Sequence, residues 1–111
     1  MKYITRKEEL MLLAILKLGS GAYLVRLREF LNDNTEKRWT VGNVFVTLEK
    51  LEESDYIRSR IGEPTAKRGG KAIKYYQVTD SGREALRTVK TVQDEMWDGI
   101  YDFVFDNRGT S

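Results

Sequence analysis

Residues 40–76 read TVGNVFVTLEKLEESDYIRSRIGEPTAKRGGKAIKYY, and two structural periods follow one another within them. Val41, Val44, Phe45, Leu48 and Leu51 recur at i, i+3, i+4, i+7 and i+10, which is the spacing of one helix face. Thr40 stands where a hydroxyl caps a first turn. The expected outer face of this helix carries Gly42, Asn43, Val46, Thr47 and Lys50, with no acid before Glu49. The period then drops to two. Ile57, Ser59 and Ile61 alternate with Arg58 and Arg60, and KAIKYYQVT reads as an antiparallel partner with Tyr76 and Val78 on one face. Pro64 and Gly69–Gly70 lie between the strands, so the pair is a long-tipped hairpin.

The tip of that hairpin, with Lys67, Arg68 and Lys71 around Gly69–Gly70, admits two phosphate chemistries. A nucleotide-binding P-loop needs G-x-x-x-x-G-K-[ST] between a buried strand and a helix. Closing that motif on Gly70–Lys71 puts its first glycine at Thr65 and its magnesium-binding hydroxyl at Ala72, and a strand follows. The P-loop reading fails on all three points. What remains is a basic wing whose glycine amides approach a polyanion backbone, or a solvated turn. The helix before it favours the wing. Short polar side chains at Thr40, Asn43, Thr47 and Lys50, with Gly42 permitting close approach, are what reading base edges in a major groove requires.

Outward from this stretch the pattern is helical. Thr5-Arg6-Lys7-Glu8 fits a capping box, ELMLLAILKLG is apolar nearly all round up to Gly19, and AYLVRLREFLND resumes helical spacing. A polar loop leads to Trp39, the expected buried residue of a short extended segment. Thr79 caps a last helix expected from about residue 80 to about residue 107. The fold class is therefore mainly α with a small β-hairpin, a winged helix-turn-helix in the order α-α-(β)-α-β-β-α. Residues 1–79 form the DNA-binding domain, and residues 80–108 a dimerisation helix packed on it.

The totals agree with that class. The chain has 111 residues, enough for one core, and no cysteine or histidine. Thiol nucleophiles, Cys/His metal sites and the commonest general base are thereby excluded, so no catalytic residue, metal or cofactor is expected. Charge is uneven: residues 1–56 hold nine basic and nine acidic side chains, residues 57–91 nine and three, and residues 92–111 one and five. A cationic middle and an anionic tail point to a polyanion partner for one segment only. No membrane span or secretory signal is visible, which makes the cytoplasm the expected location.

Thr40, Gly42, the aromatic-centred helix, the hydrophobic strand, GEPTAKRGGK, the paired tyrosines and Thr79-Asp80-Ser81-Gly82-Arg83 together resemble the PadR-like family of bacterial transcriptional regulators. With the N-terminal helix and the Ala22–Tyr23 turn, the likeness covers roughly residues 5–90, in the short form with a single C-terminal helix. It implies a homodimeric repressor of double-stranded DNA, released by a small aromatic or drug-like effector. Thr40, Gly42, Asn43, Thr47 and Lys50 would then meet bases and adjacent phosphates, and Lys67, Arg68, Gly69, Gly70 and Lys71 would form the wing. Phe45 stands where the family usually has tyrosine, and its periodicity turns it inward. Asp55 replaces a usual glycine, and Ala72–Ile73 replace residues more often basic. The competing class is a winged-helix module that docks proteins without touching DNA.

The last helix has an apolar side longer than this domain can cover, so a second copy is its natural cover. Val89, Val92, Met96, Ile100, Phe103 and Val104 are the expected interface, joined by Leu12 and by Ile15 or Leu16 of the first helix. Trp97, with Tyr101 beside it, is either packing in that interface or the wall of a ligand pocket. Asp94, Asp98, Asp102 and Asp106 are spaced by four. They form either a solvated face or a row that pairs with basic groups of the other subunit or a cationic ligand.

Overall fold

The computed structural model describes residues 3–36, 38–62 and 72–106. Three helices, α1 (Arg6–Leu18), α2 (Leu24–Asn34) and α3 (Val41–Glu53), precede a hairpin of β1 (Ile57–Ile61) and β2 (Lys74–Val78). Two helices follow, α4 (Asp80–Trp97) and α5 (Tyr101–Phe105). The mainly helical fold class with one antiparallel hairpin is as the sequence predicts.

Three helix starts have the expected cap chemistry. Thr5 Oγ1 accepts the Glu8 amide at 3.1 Å and Glu8 Oε1 accepts the Thr5 amide at 2.7 Å, so the capping box is closed. Thr40 and Thr79 cap α3 and α4 through the Asn43 and Gly82 amides, each at 3.0 Å. The core is built from Met11, Leu12 and Ile15 of α1, Leu27 and Leu31 of α2, Val44, Leu48 and Leu51 of α3, and Ile57, Tyr76 and Val78 of the hairpin, with Trp39 between α2 and α3.

The bracketed strand is displaced. The segment at Trp39 is buried but pairs with no strand, because α2 side chains take its backbone groups. Asn32 accepts the Trp39 amide at 2.7 Å, and Asn32 and Arg28 donate to its carbonyl at 3.1 and 3.3 Å. The strand-like bridge forms instead between Tyr23, just before α2, and Tyr75 of β2. Ile57 pairs with Val78, Ser59 with Tyr76 and Ile61 with Lys74, which puts Tyr76 and Val78 on the core side as expected.

One junction fixes the hairpin to α4. Asp55 closes the turn after α3 with φ 66°, the left-handed conformation its position calls for. Thr79 Oγ1 donates to the Asp55 carbonyl at 2.7 Å, and the Thr79 amide donates to the Tyr56 carbonyl at 3.0 Å. A Cβ on Gly82 would run into that same Tyr56 carbonyl and lie 2.7 Å from Val78 Cγ1. Thr79 and Gly82 are therefore constrained by packing, and no ligand is needed to account for them.

The last helix is shorter than predicted. It stops at Trp97, Gly99 takes φ 83°, and α5 restarts at Tyr101, so the acidic residues do not run down one straight helix. Asp94 bonds Lys90 at 2.6 Å, Asp98 caps the end of α4, and Asp102 lies in α5. α4 leans on α1 through Gln93, whose amide donates to both oxygens of the buried Glu9 carboxylate at 3.3 and 3.2 Å. The radius of gyration is 17.1 Å over extents of 61 × 31 × 21 Å. A compact domain of this length would measure about 13 Å, so the end of α4 and α5 projects from the core.

Candidate nucleic-acid interface

α3 lies across the surface with its N-terminal end pinned by Trp39 and its C-terminal end by the Asp55 turn. Its buried side is Val44, Thr47, Leu48 and Leu51. The buried stripe is thus turned from the predicted one by about 50°, half a residue step. Three expectations change with it, the first being Val41, predicted on the buried stripe and 53% exposed. Phe45, predicted to face inward, is 47% exposed. Thr47, predicted on the outer face, is 6% exposed and donates its hydroxyl to the Asn43 carbonyl at 2.8 Å. A threonine can satisfy its polar atom against the preceding turn and offer its methyl group to the core, whereas Phe45 at the stripe's edge meets no cover.

The exposed face keeps Thr40, Gly42, Val46 and Lys50 with Asn43 half-buried beside them, and adds Val41 and Phe45. An added Cβ on Gly42 would meet only Thr40 Oγ1, at 3.8 Å, so the backbone there is open to close approach. Acid enters only with Glu49, Glu52 and Glu53, which line a cleft with Phe45, Lys74 and Tyr76 toward the helix's C-terminal end. Burial, then Glu52 and Glu49, push the Tyr76 phenol above its usual range.

A group that sequence reading passed over gathers at the other end. Lys7 Nζ lies 5.6 Å from the Trp39 ring centroid, Arg28 is held by the Trp39 carbonyl, and Arg28 and Arg38 line a cleft with Asn32, Glu36, Trp39 and Thr40. Lys7 also borders a groove with Glu8, Asn43, Val46 and Lys50. Among the described residues the ion pairs are Arg6–Glu9, Lys74–Glu52, Arg83–Asp80, Arg87–Glu84 and Lys90–Asp94. Lys7, Arg28, Arg38 and Lys50 belong to none of them. The three added cations sit in sequence positions 7, 28 and 38, inside the half whose net charge is zero, so only the fold assembles them.

The hairpin stem carries Arg58 and Arg60 on its exposed side, with Arg60 stacked 4.7 Å over the Tyr75 ring. Ile73 continues the pairing past β2 by accepting the Gly62 amide at 2.7 Å. The tip residues Lys67, Arg68, Gly69, Gly70 and Lys71 lie outside the described residues.

At the far end, Met96, Ile100, Phe103 and Val104 are exposed and Val89 and Val92 are half-buried, while Leu16 of α1, 43% exposed, lines a cleft with Arg83 at the start of α4. Leu12 and Ile15, which the sequence placed at a dimer interface, are buried in the chain's own core because that side of α1 packs on α2 and the hairpin. Trp97, Tyr101 and Phe105 form an aromatic cluster, with Trp97 stacked on Phe105 at 5.8 Å and Tyr101 4.5 Å from Phe105. No helix among the described residues is long and apolar enough to cross a membrane, and no acidic group among them could hold a metal ion.

The model of the transcriptional regulator PadR-like family matches residues 12–88. Among solved structures, the chain is similar to a PadR family transcription regulator from Clostridium difficile, with TM-score 0.70 and 20% identity over 87% of this chain and 97% of that one. It is similar also to a PadR family transcriptional regulator from Eggerthella lenta, with TM-score 0.66 and 25% identity over 92% and 87%. A Streptococcus mutans protein gives TM-score 0.66 and 20% identity over 94% and 93%. Curated protein sequences give no significant match.

Proposed function

The chain belongs to the PadR-like family of transcriptional regulators, whose members regulate through DNA and are not enzymes, and from that premise we propose that it is a homodimeric repressor acting in the bacterial cytoplasm. In this reading α3 enters the major groove by its N-terminal half. Thr40, Asn43 and Lys50 meet base edges and nearby phosphates, and Gly42 permits the approach. Lys7, Arg28 and Arg38 grip phosphates at one end of α3, and the wing from Lys67 to Lys71 grips them at the other. Thr47 holds the helix together from inside and touches no base.

The observation that carries the reading is the distribution of unpaired charge on α3 and around it. Among the described residues Lys7, Arg28 and Arg38, about the N-terminal end of α3, and Lys50, in its last turn, belong to no ion pair, and the helix's own acids begin only at Glu49. Dimerisation is supported by the exposed apolar residues Met96, Ile100, Phe103 and Val104, a patch that a second copy would cover. Effector release is supported by the Trp97–Tyr101–Phe105 cluster in the same segment, whose rings offer an aromatic compound an apolar surface.

The direct test is a mobility shift of the DNA upstream of the chain's own coding sequence, titrated at several salt concentrations. Saturable retention that weakens steeply with salt is expected. Retention no stronger than that of random duplex would leave the protein-docking class as the better account.

A further inference from the structure

We propose that Val46 reads the 5-methyl group of a thymine, which makes an apolar contact one of the specificity determinants of α3. This deepens the DNA-binding reading and rests on it. Three apolar side chains are exposed on the first turns of the helix: Val41 at 53%, Phe45 at 47% and Val46 at 49%. The surrounding charge separates them. Val41 and Phe45 share a line along the helix with Glu49, and Phe45 opens onto the cleft of Glu49, Glu52 and Glu53. That line is anionic and turns away from a phosphate backbone.

Val46 lies on the other line, between Gly42 one turn before it and Lys50 one turn after. It borders the groove that also holds Lys7 and Asn43. Glu8 also lines that groove, its carboxylate held by the Thr5 amide, so with Lys7 and Lys50 there Val46 is the apolar group in the more cationic surroundings, the one a polyanion would press upon. A valine reaches little beyond its Cβ, so it meets a base only if the backbone comes close, and the open space at Gly42 allows this.

On the major-groove edges the thymine methyl is the one apolar group. A valine set against the cytosine amino group or the guanine oxygen would strip water from a polar atom without replacing its hydrogen bond. Val46 thus favours thymine twice, by covering a methyl and by penalising the polar edges. Asn43, within reach of the same groove, supplies hydrogen bonds to the neighbouring base.

The test uses the full chain and duplexes that it enriches from a random-sequence library. Each thymine of an enriched site is replaced in turn by deoxyuridine, which pairs identically and lacks only the methyl group. At one thymine or more per half-site the replacement should weaken binding by about fourfold, the worth of one buried methyl-sized group. Val46→Ala should remove that difference at one such position while Val41→Ala preserves it. Alanine is the better helix former at an exposed site, so an unchanged thermal melt will accompany the loss. Equal affinity for thymine and deoxyuridine at every position overturns the inference, as does a methyl preference that survives Val46→Ala. Failure to enrich any sequence would overturn the DNA-binding reading itself, and so the two failures are told apart.

Discussion

At the scale of single residues, the positions that resisted a reading from sequence alone are those whose side chains have two ends. Thr47 is polar by type, yet its hydroxyl turns back to Asn43 and its methyl group faces the core. Leu12 is apolar by type, and nothing in its identity says whether its own core or a second copy covers it. Gly82 is the opposite case, with its space fully taken in the fold. Replacing it with alanine forces the added carbon against the Tyr56 carbonyl and Val78. Gly82→Ala should lower unfolding free energy by about 1–3 kcal/mol, measurable by urea denaturation. Tyr76 offers a second check. Its phenol titrates above the usual range because the folded state favours the neutral form. The stability this contributes is complete below the unfolded pKa and is lost as pH rises through the folded value. Between about pH 9 and 11, wild type should lose more stability than Tyr76→Phe, and parallel losses would contradict the assigned cause.

At the scale of elements, helices and strands were legible where period and cap agreed. Thr5, Thr40 and Thr79 all cap as their spacing implies, and the alternation of Ile57–Ile61 against Lys74–Val78 gives the observed register. The misreadings fall where tertiary partners decide. Asn32 satisfies the Trp39 backbone in place of a strand. Gly99 ends α4 inside an apolar pattern that would otherwise continue. The basic group at Lys7, Arg28 and Arg38 is spread over three segments and has no sequence signature, because only the packing of α1 and α2 about Trp39 gathers it. For α3 the correction has a consequence for mutation. Thr47→Val keeps the inward methyl and loses one hydroxyl bond at the helix's own backbone. It should leave affinity for selected DNA within about twofold while costing about 1 kcal/mol of stability. A selective loss of DNA affinity would return Thr47 to the outer face.

At the scale of the whole molecule, the C-terminal projection and the charge pattern belong to one arrangement. The apolar run at Met96–Val104 stands away from the core, and the cations gather at the opposite functional element. A two-fold partner on the projection would present two α3 helices to successive grooves. Phe103→Glu, 76% exposed in the single chain, should leave the thermal unfolding of the core intact and shift sedimentation equilibrium from dimer to monomer. With it should go at least tenfold of the affinity for a two-half-site DNA, because the second contact is no longer tethered to the first. The central claim, that α3 reads sequence while its flanks hold phosphate, is tested most directly by a paired measurement. Asn43→Ala and Arg38→Ala are titrated against a selected site and a random duplex of equal length over a salt series. The account predicts that Arg38→Ala weakens both DNAs alike and flattens the salt slope by about 0.9. For Asn43→Ala it predicts a ratio between the two DNAs that narrows by about tenfold. An Asn43→Ala variant that loses affinity equally on both would contradict it.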